Sequence, residues 1–133
     1  MVNALENKRG VIQHRERAKQ INDFSGLRFG KITPTDIDGL IEYKNKLFIF
    51  IEAKYRDTEL PFGQRLALER LCDSITDKPC IVFVVSHNEP VENDVDVSKA
   101  MLTKYYYEKA WHKSSSNSTL LEAINKFIGM HVS

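Results

Sequence analysis

The chain lacks the apolar run of about 20 residues that a membrane-spanning helix needs, so no membrane partner is expected. Its N-terminus has no apolar core of the signal-peptide kind, which makes the cytoplasm the expected location. Cysteine is scarce: Cys72 and Cys80 are the only two, and they form no Cys-X-X-Cys pair. That spacing argues against a disulfide framework or a redox pair and leaves two buried, reduced thiols. An excess of one charge is missing too, and a net charge of +1 does not by itself announce a nucleic-acid binder. There is no internal repeat and no sign of a second domain.

What is present is ordinary in amount. Apolar residues make up 42% of the 133 and charged residues 28%, enough for one hydrophobic core without disulfides or a structural metal. Residues 1–133 therefore read as a single domain. The basic residues are unevenly spread: Lys8, Arg9, Arg15, Arg17 and Lys19 fall near one end, and Lys99, Lys104, Lys109 and Lys113 near the other. Two such stretches suit phosphate contacts, although ordinary solvated faces are the better explanation on composition alone.

The most informative stretch runs from Asp36 to Lys54. It reads as two strands folded back around Lys44-Asn45-Lys46, the second ending in Glu52-Ala53-Lys54. With the hairpin centred on Asn45, Tyr43 pairs with Leu47, Asp38 with Glu52 and Asp36 with Lys54. Directly opposed residues share a face, so three acids and one lysine gather on one side. Carboxylates this close repel, and one lysine cannot neutralise all three. A divalent cation relieves the repulsion, and oxygen ligands open to water suit Mg²⁺, with Mn²⁺ able to substitute, better than zinc. Charges gathered at a solvated hairpin end are the simpler alternative.

Asp38, a strand-length gap and Glu52-Ala53-Lys54 together resemble the signature of the PD-(D/E)XK nuclease superfamily. That group includes restriction endonucleases, archaeal Holliday junction resolvases and phage recombination nucleases. The resemblance implies Asp38 as the first acid, Glu52 as the second and Lys54 as the lysine, with Asp38, Glu52 and the Ala53 carbonyl holding the metal. Pro34 is followed by Thr35, so a literal Pro-Asp is absent, and Asp36 is a rival for the first-acid role. Ile-Asp-Gly-Leu-Ile is similar to the resolvase-type version centred on Asp38. Asp36 is then an auxiliary ligand or a modulator of Lys54.

Along the rest of the chain, a first helix is expected over 3–22, interrupted at Gly10 and carrying Glu16, and a short strand over 27–32. After the hairpin, a helix from Gly63 to about Thr76 carries Gln64, Leu68, Leu71, Cys72 and Ile75 on one stripe. The resemblance implies that Gln64, on the helix after the Glu-X-Lys strand, completes the site; Arg65 beside it is a candidate phosphate contact. Residues 80–85 form a continuous apolar run expected to be a strand buried on both faces and parallel to a neighbour. His87 after it is given no role.

Residues 100–107 read as a strand turning at Glu108-Lys109 into a return strand, with a helix as the competing reading. Tyr105, Tyr106, Tyr107 and Trp111 there are expected to pack on the sheet more than to stack on bases. A serine-rich linker and a short amphipathic helix from Leu120 to Ile128 finish the chain.

The expected fold is α/β: an αβββαβ core like that of restriction endonucleases, a mixed sheet flanked by helices, with a C-terminal β-hairpin and helix. The expected activity is Mg²⁺-dependent hydrolysis of DNA phosphodiesters, directed to branched or duplex DNA such as a junction or recombination intermediate. A catalytically silent DNA-binding or assembly domain is the alternative. Cutting both strands needs two sites, so a homodimer is expected, its contact placed on Tyr105, Tyr107 and Trp111.

Overall fold

In the computed structural model, residues 20–115 and 117–132 are described. The chain divides into two units, Met1–Pro34 and Thr35–Ser133. Most of the helix expected over 3–22, with Glu16, lies outside the described residues; residues 20–22 are not helical. The strand expected over 27–32 does not form. Gly30 takes a left-handed φ of 67°, and Phe29 and Ile32 exchange backbone hydrogen bonds across it. The apolar alternation there belongs to a tight turn with Leu27, Phe29 and Ile32 exposed.

The second unit holds a five-stranded mixed sheet in the order β1-β2-β3-β4-β5, with two α-helices. The strands are β1 (Gly39–Tyr43), β2 (Leu47–Tyr55), β3 (Cys80–His87), β4 (Met101–Tyr107) and β5 (Ala110–Lys113). The helices are α1 (Phe62–Ser74), between β2 and β3, and α2 (Leu120–His131), at the end. Among the described residues two strands, not three, precede α1.

The β1–β2 hairpin turns where Lys44 and Asn45 both adopt positive φ, 48° and 61°, and Lys46 N–H donates to the Tyr43 carbonyl. Such left-handed pairs match the twist of the strands they join. The register pairs Tyr43 with Leu47 and Gly39 with Ile51, as the sequence predicts. β3 lies parallel to β2, in keeping with its unbroken apolar run, and every residue from Cys80 to Val85 is buried.

Alternation along the strands builds two cores. Leu47, Ile49, Ile51, Phe83 and Val85 meet Leu120, Ala123 and Phe127 of α2. Phe50, Val82, Val84 and Tyr106 meet Leu68 and Cys72 of α1. The helices therefore cover opposite faces. A capping box between Thr119 and Glu122 starts α2 where the serine-rich segment ends. That segment is tied at its ends, Ser114 N–H donating to the Thr103 carbonyl and Leu102 N–H to the Ser118 carbonyl.

Polar contacts hold α1 over the sheet. The Tyr106 hydroxyl donates to Asp73 at 2.9 Å, and Trp111 Nε1–H donates to Glu69 Oε2 at 2.6 Å. Tyr105 stacks on His112, and Tyr107 meets Phe127 edge to face. The hairpin aromatics thus pack within their own chain, as expected, which leaves less of them exposed for a dimer contact. Among the described residues no helix is long and apolar enough to cross a membrane.

Candidate active site

Even-numbered residues of β2 point toward α1, which puts Glu52 and Lys54 on the same face as Phe50. Glu52 is the one fully buried charged side chain among the described residues, at 0% exposure. It sits where β1 begins, so helix, sheet and the segment before β1 all close over it.

Asp38 directly precedes β1. Extending the ladder by one residue places it opposite Glu52, and its Oδ2 accepts a 2.8 Å hydrogen bond from Ala53 N–H. The backbone explains that bond. Phe48 and Arg56 donate their N–H groups toward the β3 side, so odd residues of β2 turn theirs toward β1. At Ala53 the partner strand has run out, and the Asp38 carboxylate takes the place of a ladder carbonyl. The Ala53 carbonyl faces that same edge.

Gln64, in the first turn of α1, ties the residues together. Its Nε2 donates to Glu52 Oε2 at 3.0 Å and to the Asp36 carbonyl at 3.1 Å, while its Oε1 accepts from Lys54 Nζ at 3.2 Å. The structure therefore brings Asp38, Glu52, Lys54 and Gln64 to one place. Asp36 enters differently: the ladder stops at Gly39, so it is not a strand partner of Lys54, and its bond to Gln64 runs through its backbone carbonyl. Arg65 lies over the Phe62 ring and 3.6 Å from Glu69, and His87 Nδ1 accepts from Glu89 N–H after β3 ends.

Glu52 pays for its position. Burial, followed by the neighbouring charge of Asp38, raises its pKa from 4.5 to about 7, while Lys54 pulls the other way to a smaller extent. Its Oε2 is held by Gln64, but its Oε1 is buried without a donor when Glu52 is ionised, and a proton shared with the Asp38 carboxylate adds to the rise. An orphaned carboxylate oxygen facing a second carboxylate is what a hard cation would relieve, so the donor set fits Mg²⁺ or Mn²⁺. Asp38, Glu52 Oε1 and the Ala53 carbonyl would be the ligands. The set is lean, since the described residues contain no group of three or more His, Cys, Asp or Glu able to hold a metal; water or substrate oxygens would have to complete it.

Two substitutions test the arrangement. Gln64→Ala removes the donor to Glu52 Oε2 and the acceptor for Lys54, so thermal unfolding at pH 8 should show a loss of about 1–3 kcal/mol. A loss at pH 8 but not at pH 5 would match a donor that serves the ionised carboxylate. Asp36→Asn keeps the backbone carbonyl that Gln64 uses. It should leave stability and Mn²⁺ affinity close to wild type, and a loss of affinity equal to that of an Asp38 substitution would overturn this placement.

The sequence reading missed how deeply Glu52 is buried, having taken the acids as open to water. The signal was present in the apolar residues Phe48 and Phe50 on the same face of the strand. No protein-family model matches the chain, and no curated protein or solved structure does either.

Proposed function

We propose that the protein is a divalent-cation-dependent nuclease of the PD-(D/E)XK kind, hydrolysing DNA phosphodiesters. The observation that carries this reading is the buried, half-satisfied Glu52 beside Asp38, joined through Gln64 to Lys54. A fold seeking only stability gains little from burying a carboxylate against another acid.

When bound, Mg²⁺ would supply charge stabilisation at the phosphate and acidify a water. The chain's own residues do the rest. Asp38 and Glu52 would hold the cation with the Ala53 carbonyl. Glu52 must shed its proton to do so, which makes binding fall off below about pH 7. Lys54, kept in place by Gln64 Oε1, orients the attacking water and offsets negative charge at the phosphate. Gln64 fixes the Glu52 carboxylate through Oε2, leaving Oε1 for the metal. No covalent intermediate is needed.

The cutting is structure-directed, with two copies pairing as a homodimer when both strands are cut. Linear, flapped and four-way DNAs incubated with Mg²⁺ should show cleavage of at least one form, abolished by EDTA. Sedimentation should give about twice the chain mass if both strands are cut in one encounter. DNA binding without cleavage of any form would instead leave a silent binding domain.

A further inference from the structure

Next to Lys54 the sheet forms a cavity of about 360 Å³ whose walls include Lys54, Arg56, Lys104 and Lys113, with Asp57 and Glu59 also lining it. Lys54 comes from β2, Arg56 from the turn after it, Lys104 from β4 and Lys113 from β5, and a bulge brings Lys104 in. Val84 pairs with Lys104 but Val85 pairs with Leu102, so Thr103 is an extra residue and the alternation of β4 flips there. Leu102 accordingly packs with the α2 core, whereas Tyr106, in phase with Lys104, packs with the α1 core. Lys104 thus lies on the face that carries Glu52 and Lys54.

Lys104 is directly opposite Lys113 in the β4–β5 ladder. Like charges opposed in this way destabilise a sheet. Among the described residues none of the ion pairs involves Lys54, Lys104 or Lys113. The Lys104 ammonium instead lies 4.8 Å from the centre of the Trp111 ring, and Trp111 is anchored to Glu69. This ring contact positions the cation without neutralising it. Val84 on β3 pairs with both Glu52 and Lys104, whereas Lys54 pairs with Ser86, so the backbones of Lys54 and Lys104 are two strand spacings of about 4.8 Å each apart across the sheet and two residues, roughly 6.6 Å, apart along it.

We propose that Lys104 and Lys113 form an anion-binding subsite for a substrate phosphate beside the one that is cut. This assignment rests on reading the Glu52 site as a phosphodiester hydrolase. The pocket has room for a phosphate and its attached sugar, and the paired lysines supply the positive charge. The phosphate belongs either to an internal position of the strand or to its end.

The test is fluorescence anisotropy of a labelled single-stranded oligonucleotide with the full chain in EDTA, which reads binding apart from cleavage. The double variant Lys104→Gln, Lys113→Gln should bind about tenfold more weakly. Its slope of log affinity against log salt should be shallower by about 0.7, for one neutralised phosphate on a single strand. Lys46→Gln, in the β1–β2 turn, should bind like wild type. The double variant should also melt no lower than wild type, because a like-charge pair has been removed.

Comparing oligonucleotides with a 5′-phosphate and a 5′-hydroxyl separates the two sources. A preference for the phosphate that disappears in the double variant assigns the pocket to a strand end, and equal binding assigns it to an internal phosphate. Wild-type affinity and slope in the double variant would overturn the subsite while leaving the nuclease reading intact. Weakened binding by the variant, with no Mg²⁺-dependent cleavage by wild type, would uphold the subsite and refute the nuclease.

Discussion

Glu52→Gln should make the metal-free protein more stable at pH 8, by about 3 kcal/mol, and should abolish cleavage. In the folded chain the Glu52 pKa is raised from 4.5 to about 7, so the folded state keeps a proton that the unfolded chain releases. The resulting contribution to stability is full below about pH 4.5 and is lost as pH rises through 7. Wild-type melting temperature should therefore fall between pH 5 and pH 8 by something on the order of 10 °C, while the variant stays nearly level. Gln suits the position: its amide oxygen can accept from Gln64 Nε2–H, and its NH₂ replaces the partnerless Oε1 beside Asp38. Calorimetric melting of both proteins across pH checks this. A variant that is less stable than wild type at pH 8 would mark Glu52 as a structural acid.

The second large effect is expected at Asp38. Asn at this position keeps an oxygen to accept from Ala53 N–H, so the hairpin end stays closed. It removes the charge that, after burial, does most to raise the Glu52 pKa. The pH at which metal-free stability falls should move below 7, and the fold should be as stable as wild type or more so. Cleavage should drop by more than about 100-fold, since losing a direct ligand exceeds the effect of losing an outer partner. Titrating Mn²⁺ into the variant should show strongly weakened binding. An Asp38→Asn protein that unfolds would mean the cluster holds the fold together and does not serve chemistry.

Much of this site could be read from sequence because a hairpin leaves little freedom. The apolar alternation on both arms and a turn at Asn45 allow one register, and that register brings Asp38 up to Glu52. Gln64 was legible for a similar reason: the stripe through Leu68 and Cys72 fixes which side of α1 faces the sheet. The unbroken run of β3 announced its burial on both faces.

Other features depend on geometry that no pattern carries. The apolar alternation of residues 27–32 looks like a strand, yet Gly30 turns it back on itself within four residues of chain. The bulge at Thr103 leaves no mark in sequence, because a strand read without it places Lys104 on the wrong face. The cationic pocket was therefore visible only as a basic stretch, with Lys104 and Lys113 indistinguishable from Lys99, which pairs with Asp96. Leu40 is apolar and in phase with the acids, yet it is exposed on the edge strand β1.

The central claim is that the Asp38–Glu52 pair exists to bind a divalent cation, at the expense of a proton on Glu52. Calorimetric titration of Mn²⁺ into the wild-type protein at pH 7, repeated in buffers of different ionisation enthalpy, counts the protons released on binding. One ion should bind per chain and release about half a proton, because a group with a pKa of about 7 is half protonated there, and the release should vanish at pH 9. No binding, or binding with no proton release at pH 7, would contradict the account.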